Sequence, residues 1–309
     1  MSQTSNVKRQ TSHNTQHATR NTQHASRWAE FIIEAAIRLL GFSSIGFVTL
    51  IFLFLLREGM PVFLQVPLSN LFSTRWYPTF DLFGTMPLIL GSTLVTVTAI
   101  AIALPLGTAT AVFVREVAPG WVREVLKPMI EVLAGIPSVV LGFFGMTLVA
   151  PLVREILDAP TGLTAFAGAL LLAYMSLPTL ISVAEDALDA VPKSYRDAGL
   201  AMGATRWQTI RRVLVPAAKP GLLVAIILGM GRAIGETMAV ALVIGPSNAF
   251  PTSLWSPTHT LTTKIMIGMG ESTGVQRSAL FAMGLVLLLL SMALILLVRV
   301  VSGKREMAG

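Results

Sequence analysis

The sequence predicts an all-α membrane protein with six transmembrane helices, and its composition gives the first reason. Of the 309 residues, 53% are hydrophobic and 13% are charged, whereas soluble domains carry about 25% charged residues. The mean hydropathy is +0.71. The apolar residues also stand in long unbroken runs, which is the pattern of helices surrounded by lipid.

Six of these runs are long enough to cross about 30 Å of hydrocarbon as helices. We expect the spans at residues 37–56, 86–113, 128–150, 162–184, 220–245 and 279–301. Proline and glycine interrupt several of them, most clearly at residues 135–137. Such breaks are tolerated where neighbouring helices or a cavity satisfy the freed backbone groups. They indicate a bundle that encloses a pathway, although close helix packing explains the glycines about equally well.

The lysines and arginines predict the orientation of the spans. If the N-terminus is cytoplasmic, sixteen of them fall in the inner segments and five in the outer loops. This bias places both termini in the cytoplasm. The net charge of +7 would also suit a nucleic-acid-binding protein. The basic residues adjoin apolar spans, however, which argues against that class.

The first 27 residues differ from the rest of the chain. They are rich in Gln, Thr, Ser, Asn and His and contain almost no large apolar side chains. Such a segment cannot offset its chain entropy by burial. We therefore expect a disordered cytoplasmic tail at 1–27 and a transmembrane domain at 28–309. The chain has no cysteine, and no metal site is expected.

A long inner loop at residues 185–219 is the first candidate for function. Ser194 is expected to cap a short helix, with Asp197 three residues on as a capping-box acid, and Gly203 is expected to end it. Thr205 is expected to cap a second short helix, and Pro216 is expected to break the chain before the membrane. Two short helices beneath a membrane domain would form a docking site for a cytoplasmic partner. A solvated basic loop without a partner is the alternative.

The spacing in this loop resembles the signature of binding-protein-dependent ABC importer permeases. That signature reads Glu-Ala-Ala, three residues, Gly, nine residues, Ile, one residue, Leu-Pro. The spacing is kept here and the substitutions are conservative. The matching residues are Asp197, Ala198, Gly199, Gly203, Val213, Val215 and Pro216.

The resemblance implies that this loop couples the chain to a separate ATP-binding subunit. Ala198, Gly199 and Gly203 would then be small because a close surface contact requires it. Consistent with this, the chain contains no Gly-x-x-x-x-Gly-Lys-Ser/Thr phosphate loop. We expect a non-catalytic subunit without a cofactor of its own, with ATP and Mg bound by the partner ATPase.

The fifth span contains the second candidate for function, Arg232 and Glu236. Arg232 lies about twelve residues, or roughly 18 Å, into the span. An arginine at that depth costs about 2.5–3.5 kcal/mol on insertion scales and usually marks a substrate pathway. Glu236 would lie one turn further along the same face, so an internal ion pair is the alternative. The planar guanidinium suits an oxyanion such as phosphate or sulfate.

The run at residues 231–240 resembles the fifth-helix signature of phosphate importer permeases of the PstC type, and residues 84–94 and 129–143 agree with it. The resemblance covers roughly residues 30–302. It implies a type I ABC importer permease fold in a bacterial inner membrane, with Arg232 and Glu236 needed for uptake. It also implies a second permease subunit, two copies of the ATP-binding subunit and an extracytoplasmic phosphate-binding protein.

Three other functions stay open at this stage. The same machinery could carry phosphonate, sulfate or molybdate. A stand-alone secondary transporter could use Arg232 and Glu236 as an ion relay. A structural membrane scaffold would need the two residues for stability alone.

Overall fold

The computed structural model describes residues 3–80, 82–156, 158 and 161–303, with side chains from residue 30 onward except at 32, 79 and 301–303. Contacts divide the chain into two units, Met1–Leu55 and Leu56–Gly309. The backbone is helical from Gln3, but the side chains of the first 29 residues lie outside the described set. The disordered tail at 1–27 and the domain boundary at 28 therefore stay predictions.

Helices make up most of the described chain. Their bounds are α1 Gln3–Gln65, α2 Leu68–Leu71, α3 Met86–Val112, α4 Gly120–Gly135, α5 Ser138–Phe144, α6 Ala150–Ile156, α7 Ala165–Asp189, α8 Lys193–Ala201, α9 Arg206–Thr209, α10 Val215–Ala217, α11 Lys219–Gly235, α12 Met238–Val243, α13 Leu261–Met269 and α14 Gly274–Gly303. Three π-helical turns continue α3, α5 and α9; they are Phe113–Val117, Gly145–Val149 and Ile210–Leu214.

The structure has five to six spans, against the six that were predicted. Over the residues that the structure describes, five helical stretches are long and apolar enough to cross a membrane, and a helix pair bent by 69° makes a sixth if it is counted as one span. The five are Ile33–Gln65, Met86–Val117, Ser138–Ile156, Ala165–Asp189 and Gly274–Val300, and the bent pair is Arg206–Ala217 with Lys219–Gly235.

The predicted start of the third span is wrong. The sequence predicts it at residue 128, but α4 ends at Gly135 and the apolar span begins at Ser138. Ile136 between them is extended, with φ −66° and ψ 128°. A residue before proline is pushed out of the helical region by the proline ring, so Pro137 ends α4 at this point.

The core of residues 56–309 lies where α3, α7 and α11 pack together. Small side chains line these contacts, among them Ala103 of α3, Ala173 of α7 and Ala225 of α11. Where Gly107 faces α7, an added Cβ would lie 2.9 Å from a Leu180 methyl carbon. Small residues of this kind let spanning helices approach closely. This packing fixes the position of α11, which carries the candidate site.

A second apolar cluster surrounds a small hairpin of β1 (Trp76–Tyr77) and β2 (Leu82–Phe83). The strands pair antiparallel with Trp76 opposite Phe83, and their rings meet edge to face at 5.7 Å. Leu261 of α13 and Met283 of α14 are buried in the same cluster. The hairpin therefore anchors α13, whose first turn lies beside the candidate site.

Candidate functional site

The fifth span, predicted at residues 220–245, is broken at Glu236, directly after one of its glycines. α11 ends at Gly235, Glu236 is extended with φ −69° and ψ 131°, and α12 begins at Met238. One carboxylate oxygen of Glu236 accepts hydrogen bonds from the backbone N–H groups of Thr237 (3.2 Å) and Ala239 (3.3 Å). Glu236 thus satisfies amides that are left free at a helix start, where a negative charge is also favoured.

The carboxylate of Glu236 is bonded to the amides that follow the helix break and not to Arg232. Among the described residues, no partner lies within 4.0 Å of the Arg232 guanidinium as an ion pair. The internal ion pair, the alternative to a substrate site, does not form in this structure.

Arg232 instead lies on a face of α11 that the described chain leaves uncovered. Val224, Leu228, Gly231 and Gly235 are exposed on the same face, and a Cβ added at either glycine would meet nothing within 4 Å. An arginine among apolar and small residues on a spanning helix is costly in lipid. This arrangement is typical of a surface that a partner or a water-filled pathway covers.

The helix break is held from the side by α13, which the sequence analysis missed. The Thr262 hydroxyl donates to the backbone carbonyl of Glu236 at 3.0 Å. The backbone N–H of Leu261 donates to Ser92 Oγ of α3 at 2.8 Å. A side chain at Gly91 would collide with the carbonyl of His259, so this glycine permits the close approach. The only sequence signal was the hydroxyl-rich run at residues 258–263.

His259 and Lys264 add a polar cluster beside this anchor, between the fifth and sixth spans. His259 is 7% exposed and its Nδ1 has no hydrogen-bond partner among the described residues. Burial, with a smaller effect from the charge of Lys264, lowers the pKa of His259 to about 4. Burial also lowers the pKa of Lys264, whose ammonium donates to Asn248 Oδ1 at 2.8 Å. His259 is therefore neutral near pH 7.

We expect Thr262→Val to lower the thermal stability of the protein by a few degrees. The change leaves the Glu236 carbonyl without its partner, and such a loss costs about 1–3 kcal/mol in a buried setting. Thermal unfolding in detergent measures the effect. Thr262→Ser keeps the hydroxyl and serves as the control. Equal unfolding temperatures for Thr262→Val and the wild type would contradict the anchoring role.

The predicted docking loop forms two short helices, α8 and α9, as expected. Gly203 follows α8 with φ +80°, and the N–H groups of Gly203 and Ala204 donate to the carbonyls of Leu200 and Gly199. This is a Schellman motif, which favours glycine at the left-handed position. Thr205 caps α9 in a capping box with Gln208, so that prediction is confirmed.

Three details of the loop differ from the sequence-based expectation. α8 begins at Lys193 after Pro192, without a side-chain cap, so the capping box of Ser194 and Asp197 is wrong. The residues from 185 to 189 belong to α7. The chain bends after α10, at Ala218, rather than at Pro216 itself.

One of the small residues of the loop also packs within the chain. A Cβ added at Gly199 would lie 2.9 Å from Thr209 Cγ2, so this glycine lets α8 pack against α9. Asp197 and Ala198 are exposed. Met202 is 88% exposed and Trp207 61% exposed. These large apolar side chains are therefore available for contact with a partner. The residues of one groove on this surface include Tyr195, Ala198, Met202, Gln208, Arg212 and Val213, and its volume is about 620 Å³.

The two candidate sites are thus separate places joined by one helix. The loop lies before the N-terminus of α11, and Arg232 and Glu236 lie at its C-terminal end. The 17 residues of α11 span about 25 Å. A displacement of the loop can therefore reach the helix break through one rigid element.

The chain is similar to known membrane transport proteins over most of its length. Residues 103–306 match the family of binding-protein-dependent transport system inner membrane components. A Bacillus subtilis (strain 168) protein named "Probable ABC transporter permease protein YqgH" is 46% identical over 261 residues, which are 82% of this chain and 84% of that protein. The Haemophilus influenzae phosphate transport system permease protein PstC is 34% identical over 257 residues, 77% of this chain and 82% of that protein.

A solved structure is similar in fold. A chain of the MetNI methionine ABC transporter, in an inward-facing conformation, superposes with a TM-score of 0.53 at 20% sequence identity. The match covers 72% of this chain and 94% of that chain. The prediction of an all-α membrane protein with a type I ABC importer permease fold is confirmed.

Proposed function

Because the chain belongs to the family of binding-protein-dependent transport system inner membrane components, we propose that it is a permease subunit of an ATP-driven ABC importer that moves inorganic phosphate into the cell. The membership places the chain in an inner membrane with several passes. The observation that supports phosphate as the substrate is the 34% identity to the PstC permease over most of both chains.

The uncovered Arg232 supports an oxyanion pathway. Its guanidinium has no ion-pair partner within the described residues, so its donors are free for a phosphate oxygen pair. The Glu236 carboxylate is held by the first amides of α12 and does not neutralise Arg232. A carboxylate in the same region opposes tight trapping of an anion, which favours release.

The proposed partners follow from the loop and from the family. Two copies of a cytoplasmic ATP-binding subunit would bind ATP and Mg and power alternating access, with one of them docked on this chain's loop. A second permease subunit would cover the open face of α11, and an extracytoplasmic phosphate-binding protein would deliver the anion. Both termini would be cytoplasmic, and this chain would carry no catalytic residue. The proposed coupling residues are Asp197, Ala198, Gly199, Gly203 and Pro216.

Two alternatives make different predictions. The same importer for phosphonate, sulfate or molybdate would keep the ATP dependence and change the anion. A secondary transporter would continue to work when the ATPase partner is inactivated.

Uptake of labelled phosphate, sulfate and molybdate tests the proposal. Cells that lack this chain are compared with cells to which it is restored, with the ATPase partner intact or inactivated. We expect a loss confined to phosphate, restored only when the ATPase is active. If uptake of another anion is lost instead, phosphate is not the substrate. Uptake that continues without an active ATPase would contradict an ATP-driven importer.

A further inference from the structure

Three ion pairs lie at the end of the bundle that carries α8 and α9. Arg115 pairs with Asp189 at the end of α7, Glu116 pairs with Arg196 of α8, and Lys127 of α4 pairs with Glu185 of α7 at 2.8 Å. Arg115 and Glu116 are neighbours in the π-helical turn Phe113–Val117 that ends the second span. One turn of the second span is thus tied to both the fourth span and the docking loop.

The pair of Glu116 and Arg196 is the most buried of these contacts on its acidic side. The Glu116 side chain is 4% exposed, and both of its oxygens accept from Nη2 of Arg196. The two residues are 80 positions apart in the chain. A buried carboxylate that loses its partner is strongly unfavourable, so the pair holds α8 at a fixed position on the second span.

Packed side chains do not fill the space around this pair. A cavity of about 220 Å³ lies there, lined by Glu116, Arg196, Leu200, Arg206, Thr209 and Ile210 among others. α8 otherwise packs on α9 and on the π-helical turn Ile210–Leu214, which leads towards α11. The docking helix therefore has three connections to the membrane. The chain joins it to α7 on one side and, through α9 and the π-helical turn, to α11 on the other. The third connection is the ion pair to the end of the second span.

We propose that Glu116 and Arg196 are positioning residues that transmit the movement of the docking helix α8 to the second span. The proposal rests on the proposed function, since α8 is the helix on which the ATP-binding subunit would act. Because α3 packs on α7 and α11 in the core, a pull on Glu116 moves the second span together with the span that carries Arg232. Without the pair, the second span follows α8 only indirectly, through the packing of α3 on α7 and α11.

The test measures phosphate uptake and ATP hydrolysis in the same proteoliposomes that contain the complete transporter. Glu116→Gln and Arg196→Gln are expected to lower the phosphate transported per ATP by about fivefold or more, the lower limit of ordinary coupling between sites. The double exchange Glu116→Arg with Arg196→Glu is expected to restore part of this ratio. Glu34→Gln removes an exposed ion pair with Arg38 on α1 and should leave the ratio unchanged.

An unchanged ratio in both single variants would overturn the proposal. A parallel fall of uptake and hydrolysis, with the ratio kept, would also overturn it, because the pair would then serve only assembly or stability. If Glu116→Gln does not assemble, Arg196→Gln supplies the same measurement, because it removes the pair at its more exposed side chain. If the wild-type transporter hydrolyses ATP for another anion, the ratio is measured with that anion, so a wrong substrate is distinguished from a wrong role for the pair.

Discussion

Replacement of Arg232 by alanine is expected to abolish phosphate uptake while the protein reaches the membrane in normal amount. The guanidinium is exposed and has no ion-pair partner among the described residues, so its removal leaves no buried charge behind. A phosphate bound by two of its N–H groups would lose about 1.5–3 kcal/mol for each bond. The uptake rate should therefore fall by at least about a hundredfold.

The experiment compares uptake of labelled phosphate with the amount of protein in the same membranes. Arg277→Ala is the matched control, because Arg277 is also an exposed arginine on a long helix, in the first turns of α14. It should transport at the wild-type rate. Arg232→Lys keeps the charge without the planar fork and is expected to give an intermediate rate. A loss of uptake in proportion to a loss of protein would instead assign Arg232 a structural role.

Gly203→Val is expected to abolish uptake while the protein still inserts into the membrane. Gly203 has φ +80°, and a left-handed conformation costs roughly 1–2 kcal/mol for an ordinary residue and more for a β-branched one. Valine would therefore break the Schellman motif and displace the surface formed by Ala198 and Met202. Uptake and co-purification of the ATP-binding subunit measure the result. Retained uptake would contradict docking at this loop.

Gly203→Asn distinguishes two explanations for glycine at this position. One is the left-handed backbone conformation, and the other is the close approach of a partner surface. Asparagine tolerates the left-handed conformation, and a Cβ at this position meets nothing within 4 Å in this chain. If the asparagine variant transports phosphate normally, the backbone conformation is what the loop requires. If it fails as valine does, a partner surface must approach Gly203 closely, as the family resemblance implies.

The sequence predicted the spans well because apolar runs of this length have few alternatives to crossing a membrane. It failed where a helix ends for reasons outside the local sequence. No proline marks the break at Glu236; the break is held by the carboxylate on the first amides of α12 and by the hydroxyl of Thr262 on the carbonyl. Thr262 is 26 positions away, so no local pattern could show this contact.

The helix break at residues 135–137 has a local cause, unlike the break at Glu236. The restriction that proline places on the preceding residue is local, and it was sufficient to end α4 at Gly135. The sequence predicted this interruption, but the apolar residues before it placed the start of the span at residue 128. Gly199 shows what a spacing motif leaves out. Its place in the motif suggested an outward contact, and the structure adds a close neighbour within the chain, Thr209.

The open face of α11 also bears on how the protein is made. A newly inserted chain on its own would present Arg232 and its apolar neighbours to lipid, at about 2.5–3.5 kcal/mol for an arginine near the midplane. A binding partner that covers this face removes the cost and stabilises the native chain by mass action. The level of the chain in the cell should therefore follow the supply of its partner. A chain made in excess would be the form that quality-control proteases remove.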